Sequence, residues 1–316
     1  MTLTYLGDIR GKGGSENSRA KKSTCGIDLH VHTDRSDGQY SPRKTIELAV
    51  KSGVRSIAVT DHNICLETLA AKQLSHQYGI EVIPGCEFSA SAAIGGGSAE
   101  DNGIYEVHVI GLFIDETDSE VRKILEINKK ERKQYIQQIL TGLYKEYGIC
   151  VSLGQLQAES PNSQFIGRQN IARYLVKTGI VSDVRTAFQK YLGGKIEGDE
   201  KHDYISYNFT YAPLSDTVRA ILHSGGIPIL AHLPYYGMTD SQEEDLLQLF
   251  KDCGGIAMET DYKNYSSKLI WKLNYLAHVF ELLPSCGSDY HGDGDSFHRG
   301  DPLWLAHLKE KRKEFK

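Results

Sequence analysis

Short apolar runs bounded by glycine or polar residues alternate with longer amphipathic stretches along most of this chain. Residues 26–31 read as a strand. Ser41-Pro42 then opens a helix, with serine at the N-cap and proline at the first helical position, that ends near Gly53. The β-branched run 54–60 predicts a buried strand. A helix over about 66–78 is stopped by Gly79, and 80–83 is the next strand. Segments 88–94 and 104–114 read as the arms of a hairpin, with a loose polar turn from Gly95-Gly96-Gly97 to Gly103.

The rhythm then changes. From Asp118 to about Lys195 the spacing predicts helices and no strand: a long amphipathic helix over about 119–147, and others over about 168–178 and 181–191. The polar stretch 193–211 reads as a return linker. Alternation then resumes, with helices over 214–223, 243–251 and 267–281 and strands over 227–231, 255–259 and 282–287. The expected architecture is α/β: seven strands in a distorted (β/α)₇ barrel of the TIM type, interrupted by a small all-helical insertion. A doubly wound open sheet is the alternative, since its ligands also bind past the strand ends. The expected organisation is a polar extension over 1–24, a barrel domain formed by 25–115 and 205–316, and an insertion over 116–204 that forms a lid on the substrate.

Composition narrows this only slightly. A chain of 316 residues, 40% apolar and 24% charged, is long enough for one barrel-sized globular domain. The formal charge of −5 argues against a protein that coats nucleic acid, while leaving room for a local basic pocket. No apolar run approaches the roughly 20 residues of a membrane span. The polar N-terminus lacks an apolar signal core, so a cytoplasmic location is expected. The six cysteines stand singly, without a C-x-x-C pair, and read as reduced thiols; Cys65 and Cys86 fall close to the candidate ligands as bystanders.

Nine imidazoles and carboxylates change the picture more. His30 and His32 lie two apart at a strand end, so both rings share one face and can grip one ion. The polar loop after them returns Asp37 to the same place. Thr60-Asp61-His62 ends an apolar strand, with His62 as the ligand and Asp61 orienting it or a neighbour. Glu87 emerges from a buried strand and is a candidate bridge between two cations. His108 and His232 each stand alone in apolar surroundings, where a histidine is more often a packing residue than a ligand. Asp289 and His291 form a D-x-H just past the last strand. Imidazole with carboxylate is the ligand chemistry of borderline divalent metals, and nine such groups exceed what one ion needs.

H-x-H with S-D-G, then T-D-H, G-x-E, a strand histidine, A-H and G-S-D-x-H, in that order, resemble the PHP (polymerase and histidinol phosphatase) superfamily. The resemblance covers residues 26–114 and 214–292. Phe165-Ile166-Gly167-Arg168 and Tyr191-Leu192-Gly193 in the insertion resemble the branch of nucleoside 3′,5′-bisphosphate phosphatases and 5′-to-3′ oligoribonucleases. The resemblance implies a (β/α)₇ barrel with a trinuclear centre of Mn²⁺, Zn²⁺ or Fe²⁺. One ion would be held by His30, His32, Glu87 and Asp289, a second by Asp37, His62 and His291, and a third by Glu87, His108 and His232. Two departures stand out. Asn170 occupies the place of a usual histidine, and Ala231-His232-Leu233-Pro234 replaces a usual A-H-P-G, so the substrate contacts are expected to differ.

The function expected is metal-dependent hydrolysis of a phosphate monoester, of a nucleotide or another small phosphorylated metabolite, by a metal-activated hydroxide on two or three divalent ions. Asp37, His62 and Asp289 are the candidate catalytic residues. Arg168 is a candidate to fork a phosphate, its alternative being a surface arginine at a helix start. Ser89 is a candidate hydrogen-bond donor to a phosphate oxygen. The basic stretch Lys129, Lys130, Arg132 and Lys133 reads mainly as a solvated helix face. Two rivals remain: a 5′-to-3′ exonuclease on short RNA, and a non-catalytic metal-binding scaffold. The expected partner is a small phosphorylated substrate, with no membrane and no stable nucleic-acid partner.

Overall fold

The computed structural model describes residues 26–95, 103–193, 210–292 and 294–315. The expected extension over 1–24, most of the glycine turn and most of the return linker lie outside the described residues. Among those described, seven strands form one sheet in chain order: β1 (Gly26–Val31), β2 (Val54–Val59), β3 (Glu81–Ala93), β4 (Ile104–Leu112), β5 (Ile227–Leu230), β6 (Ala257–Tyr262) and β7 (Leu283–Gly287). β1, β2 and β3 run parallel, as do β5, β6 and β7, and β4 lies antiparallel between β3 and β5. The sheet curls until its ends meet. His32 donates its backbone N–H to the Tyr290 carbonyl at 2.9 Å, and the Ser288 hydroxyl donates to Asp28 at 2.6 Å. This closes the distorted barrel.

Helices α1 (Pro42–Lys51) and α2 (Thr68–Tyr78) cover the first strands. Ser41 caps α1 as its sequence predicts, and Gly79 ends α2 at φ 65°. Helices α3 (Ser119–Tyr147), α4 (Leu153–Glu159), α5 (Arg168–Lys177) and α6 (Val184–Ala187) fill the block between β4 and α7 (Leu214–His223). Helices α8 (Asp240–Asp252), α9 (Ser267–Val279) and α10 (Pro302–Lys313) return to the barrel. α3 serves two cores: Val121 and Ile124 pack with the barrel residues, whereas Tyr135, Ile139 and Leu143 pack with Ile171 and Leu175 in a separate cluster of the helical block. No described helix is long and apolar enough to cross a membrane.

Three features depart from the sequence reading. The segments 80–83 and 88–94 belong to one continuous strand, β3, which pairs with β2 up to Pro84 and with β4 from Gly85 onward. The Pro-Gly pair marks a change of partner, and a proline without an N–H is tolerated there because no ladder bond is asked of it. The helix expected over 181–191 is a four-residue helix followed by a π-turn over Phe188–Leu192. α4 and α10 were not anticipated, the first because seven residues give too short a stretch for a period to register.

Candidate metal centre

All nine candidate ligands come together, most from strand ends or the loops that follow them, with Glu87 and His108 from within β3 and β4. β1 carries His30 and ends just before His32, and both rings are fully buried. The loop after His32 is held by Asp61, which accepts from the Thr33 N–H at 2.7 Å, the Thr33 hydroxyl at 2.7 Å and the Ser36 hydroxyl at 2.6 Å. Asp61 therefore shapes the loop that delivers Asp37, rather than orienting His62. His62 lies beside Glu87 of β3 through a parallel bridge. His108 comes from β4, opposite Ser89 in the ladder, and His232 follows β5. Asp289 and His291 follow β7; Asp289 has φ 50° and His232 φ 29°, a strained region for side-chain-bearing residues.

Glu87 is the hub. Its Oε1 lies 2.9 Å from His108 Nδ1, 3.0 Å from His232 Nε2 and 3.3 Å from His30 Nε2. Its Oε2 lies 2.8 Å from His62 Nδ1 and 3.3 Å from His32 Nε2. Asp289 Oδ1 is 3.0 Å from His32 Nε2 and 3.5 Å from His30 Nε2, and Asp37 Oδ1 is 3.2 Å from His291 Nε2. Among the described residues three groups converge closely enough to share an ion: His30, His32, Glu87 and Asp289; His32, Asp37, His62 and His291; and His62, Glu87 and His108. The first is the set the resemblance implies. The second adds His32 to the implied set. The third contains His62 where His232 was expected, although His232 Nε2 still faces Glu87.

The donors fit bound cations on a second ground. Buried polar atoms are nearly always hydrogen-bonded. Yet ten buried side-chain atoms among the described residues have no hydrogen bond, and five of them are His32 Nδ1, Asp37 Oδ1, Glu87 Oε2, His232 Nδ1 and Asp289 Oδ1.

The charges follow from this crowding. Burial alone pushes the Glu87, Asp289 and Asp37 carboxyls up, but the surrounding imidazoles outweigh it and hold all three below the usual carboxylate range. Burial works to lower His32, yet Asp289 and Glu87 raise it to about 10; Glu87 and Glu106 likewise raise His108 to about 9. His62 goes the other way: burial, aided by His32, keeps it below 6.5 despite Glu87 and Asp37.

A cavity of about 600 Å³ opens over this centre. Its lining includes Asp37, His62, His108, His232, Asp289 and His291, Arg132, Arg168, Arg185 and Phe188 of the helical block, and Tyr235 and Tyr262. Arg168 is thus brought to the cavity. Ser89 is not: it is buried, its hydroxyl accepts from Asn63 at 3.2 Å, and it lines no part of the cavity. Arg132 departs from the solvated face expected of it. Its guanidinium is sandwiched between the Tyr135 and Phe165 rings at 4.7 and 4.6 Å, and its Nε donates to the Ile166 carbonyl at 2.9 Å. Lys129, Lys130 and Lys133 do face solvent. The block also approaches the ligands: a Cβ on Gly167 would lie 2.3 Å from Asp37 Oδ2.

Several supporting residues escaped the sequence reading. Asp28 accepts from the Ser288 N–H and hydroxyl at 3.0 and 2.6 Å and from the His298 N–H at 2.8 Å, fastening β1 to the exit of β7; burial pushes its carboxyl up to about 6. Tyr262 donates to Asp289 Oδ2 at 3.1 Å, which leaves Oδ1 to face the imidazoles. Glu259 of β6 lies against His30 and His232. Asp28 and Glu259 share a signal that was present, an acid inside a strand of apolar residues. Cys86 and Cys65 are buried thiols beside the centre, and burial pushes Cys86 up.

A family model for the PHP domain matches residues 28–253. A 3′,5′-nucleoside bisphosphate phosphatase of Chromobacterium violaceum is 30% identical over 269 residues, 85% of this chain and 88% of that protein. A 5′-3′ exoribonuclease of Haemophilus influenzae is 31% identical over 264 residues, 84% of this chain and 89% of that one. Among solved structures, an amidohydrolase from Chromobacterium violaceum with bound sulfate superposes with a TM-score of 0.74 at 29% identity, covering 91% of this chain and 96% of that one.

Proposed function

Because the chain belongs to the PHP domain family of phosphoester hydrolases, we propose that it removes a phosphate from a small phosphorylated molecule, most simply a nucleotide, using two or three divalent ions of Mn²⁺, Zn²⁺ or Fe²⁺. The observation that carries this reading is Glu87. Both its oxygens are surrounded by imidazoles, and His62 and His108 among those histidines line a cavity that three arginines also line. Bound divalent ions supply charge neutralisation for a phosphoryl group and an acidified water. Asp37, His62 and Asp289, each lining the cavity from a different strand end, would hold the ions on that side. Arg132, already fixed by its two aromatic neighbours, and Arg168 offer planar N–H donors to phosphate oxygens. Tyr235 presents an exposed ring at the cavity wall, a surface for an aromatic leaving group. We read the helical block over 116–204 as the lid that carries these arginines.

The exonuclease reading rests on the second relative, and the cavity favours the smaller substrate: about 600 Å³ suits a ligand of nucleotide size. The test is a parallel assay of metal-loaded protein. Phosphate release from nucleotides, without shortening of 5′-phosphorylated oligoribonucleotides, is expected. RNA shortening without mononucleotide turnover favours the exonuclease, and no turnover on any phosphoester contradicts both.

A further inference from the structure

Glu259 sits on β6 between Met258 and Thr260 and is 1% exposed, yet it belongs to none of the converging ligand groups. Its Oε1 lies 3.0 Å from His30 Nδ1. Its Oε2 accepts the backbone N–H of His232 at 2.8 Å. His30 Nε2, on the opposite side of the ring, faces Glu87 at 3.3 Å and Asp289 at 3.5 Å. Glu259 therefore touches His30 from behind and has no route to an ion that Nε2 would hold. Its pocket is cut to fit: a Cβ on Gly287 would fall 2.3 Å from His30 Cβ and 2.5 Å from Glu259 Oε1.

We propose that Glu259 is a positioning residue that serves two ligands from different strands at once. By accepting from Nδ1–H it fixes His30 in the tautomer whose Nε2 lone pair points into the centre. By accepting from the His232 N–H it pins, together with the Tyr235 N–H that donates to the His232 carbonyl at 2.9 Å, a backbone with φ 29° and ψ 50°. A carboxylate is required because both partners are donors. A neutral amide has one acceptor oxygen and one NH₂ group, so it satisfies one partner and opposes the other. The inference rests on the proposed metal centre and concerns how that centre is kept in register.

The decisive variant is Glu259→Gln, nearly isosteric with the native side chain. Chelator competition with Zn²⁺ on the full chain is expected to show affinity about 10–100-fold weaker than native. In the ¹⁵N-histidine spectrum of the zinc-loaded native protein, a slowly exchanging ring Nδ1–H is expected, and the substitution should remove or shift it. A variant that binds Zn²⁺ as tightly as native, with that signal unmoved, overturns the proposal. Should the variant not fold, the native spectrum alone decides: His30 bound through Nδ1, or carrying its proton on Nε2, overturns it equally. A native protein that takes up no Zn²⁺ sinks the metal centre itself, whereas native uptake with an unaltered variant sinks this inference alone.

Discussion

Arg173 of α5 donates to the backbone carbonyl of Asp37 at 2.5 Å, so the helical block is fastened to the loop that presents a candidate ligand. The same guanidinium donates to the His291 carbonyl at 3.0 Å. One side chain thus joins the block to two strand-end segments of the barrel. Arg173→Ala is expected to lower kcat/KM by about 10–100-fold, through displaced ligands rather than a lost substrate contact. Arg173→Lys should not restore it, because a single ammonium cannot reproduce the fork. Steady-state kinetics on the two variants check this, with near-native activity of Arg173→Lys as the contrary result.

Removing a ligand should separate turnover from folding. His62→Ala and Asp289→Ala are expected to abolish phosphate release while circular dichroism and compactness stay near native, since the barrel cores do not include these side chains. Full activity in both variants would show that the centre has been misplaced.

Asp61→Asn tests the loop. The carboxylate accepts from Thr33 twice and from Ser36 once, and an amide cannot accept from all three. A loss of about 1–3 kcal/mol in unfolding free energy is expected, together with weaker metal binding. Denaturant unfolding measures the first, and no change in the midpoint would contradict the prediction.

Arg168 and Ser89 should behave differently. Arg168→Ala is expected to raise KM for a phosphorylated substrate about tenfold or more, since it lines the cavity. Ser89→Ala should leave KM unchanged and cost about 1 kcal/mol of stability, because its hydroxyl bonds Asn63. A reversed pattern in paired kinetics and melting curves would restore Ser89 to the substrate.

The pH dependence follows from His32 and His108, raised to about 10 and about 9 by their carboxylate neighbours in the metal-free protein. A histidine whose folded pKa exceeds its unfolded value stabilises the fold fully below the unfolded 6.5, and loses that contribution as pH rises through the folded value. Metal-free protein should therefore lose stability from about pH 6.5 to pH 10. Metal must displace those protons, so its apparent affinity should climb with pH by about tenfold per unit for each proton released. Calorimetry in buffers of different ionisation enthalpy reads the protons directly; affinity independent of pH between 6 and 8 contradicts this.

The candidate ligands were legible because the strands are strongly patterned and most donors fall at or just past a strand end, Glu87 and His108 lying within β3 and β4. His30 and His32 share a face by simple period, and Asp289-Tyr290-His291 follows a run of apolar residues. What stayed hidden depends on distant contacts. Arg132 lies in a run of lysines, and only the fold sends it between Tyr135 and Phe165 while its neighbours face water. Asp61 looked like a partner for the histidine beside it, but the loop from β1 reaches it first. Glu259 and Asp28 were visible as acids inside apolar strands. Their donors, His232 and Ser288, lie too far along the chain for spacing to pair them.

Elemental analysis of the full chain, reconstituted with Mn²⁺ or Zn²⁺ and freed of loose metal, tests the central claim most directly. The account predicts about two to three tightly bound ions per chain, and a clear loss of them in Glu87→Gln, whose carboxylate five imidazoles face. A native protein that retains no ion, or a Glu87→Gln variant that retains the full complement, contradicts it.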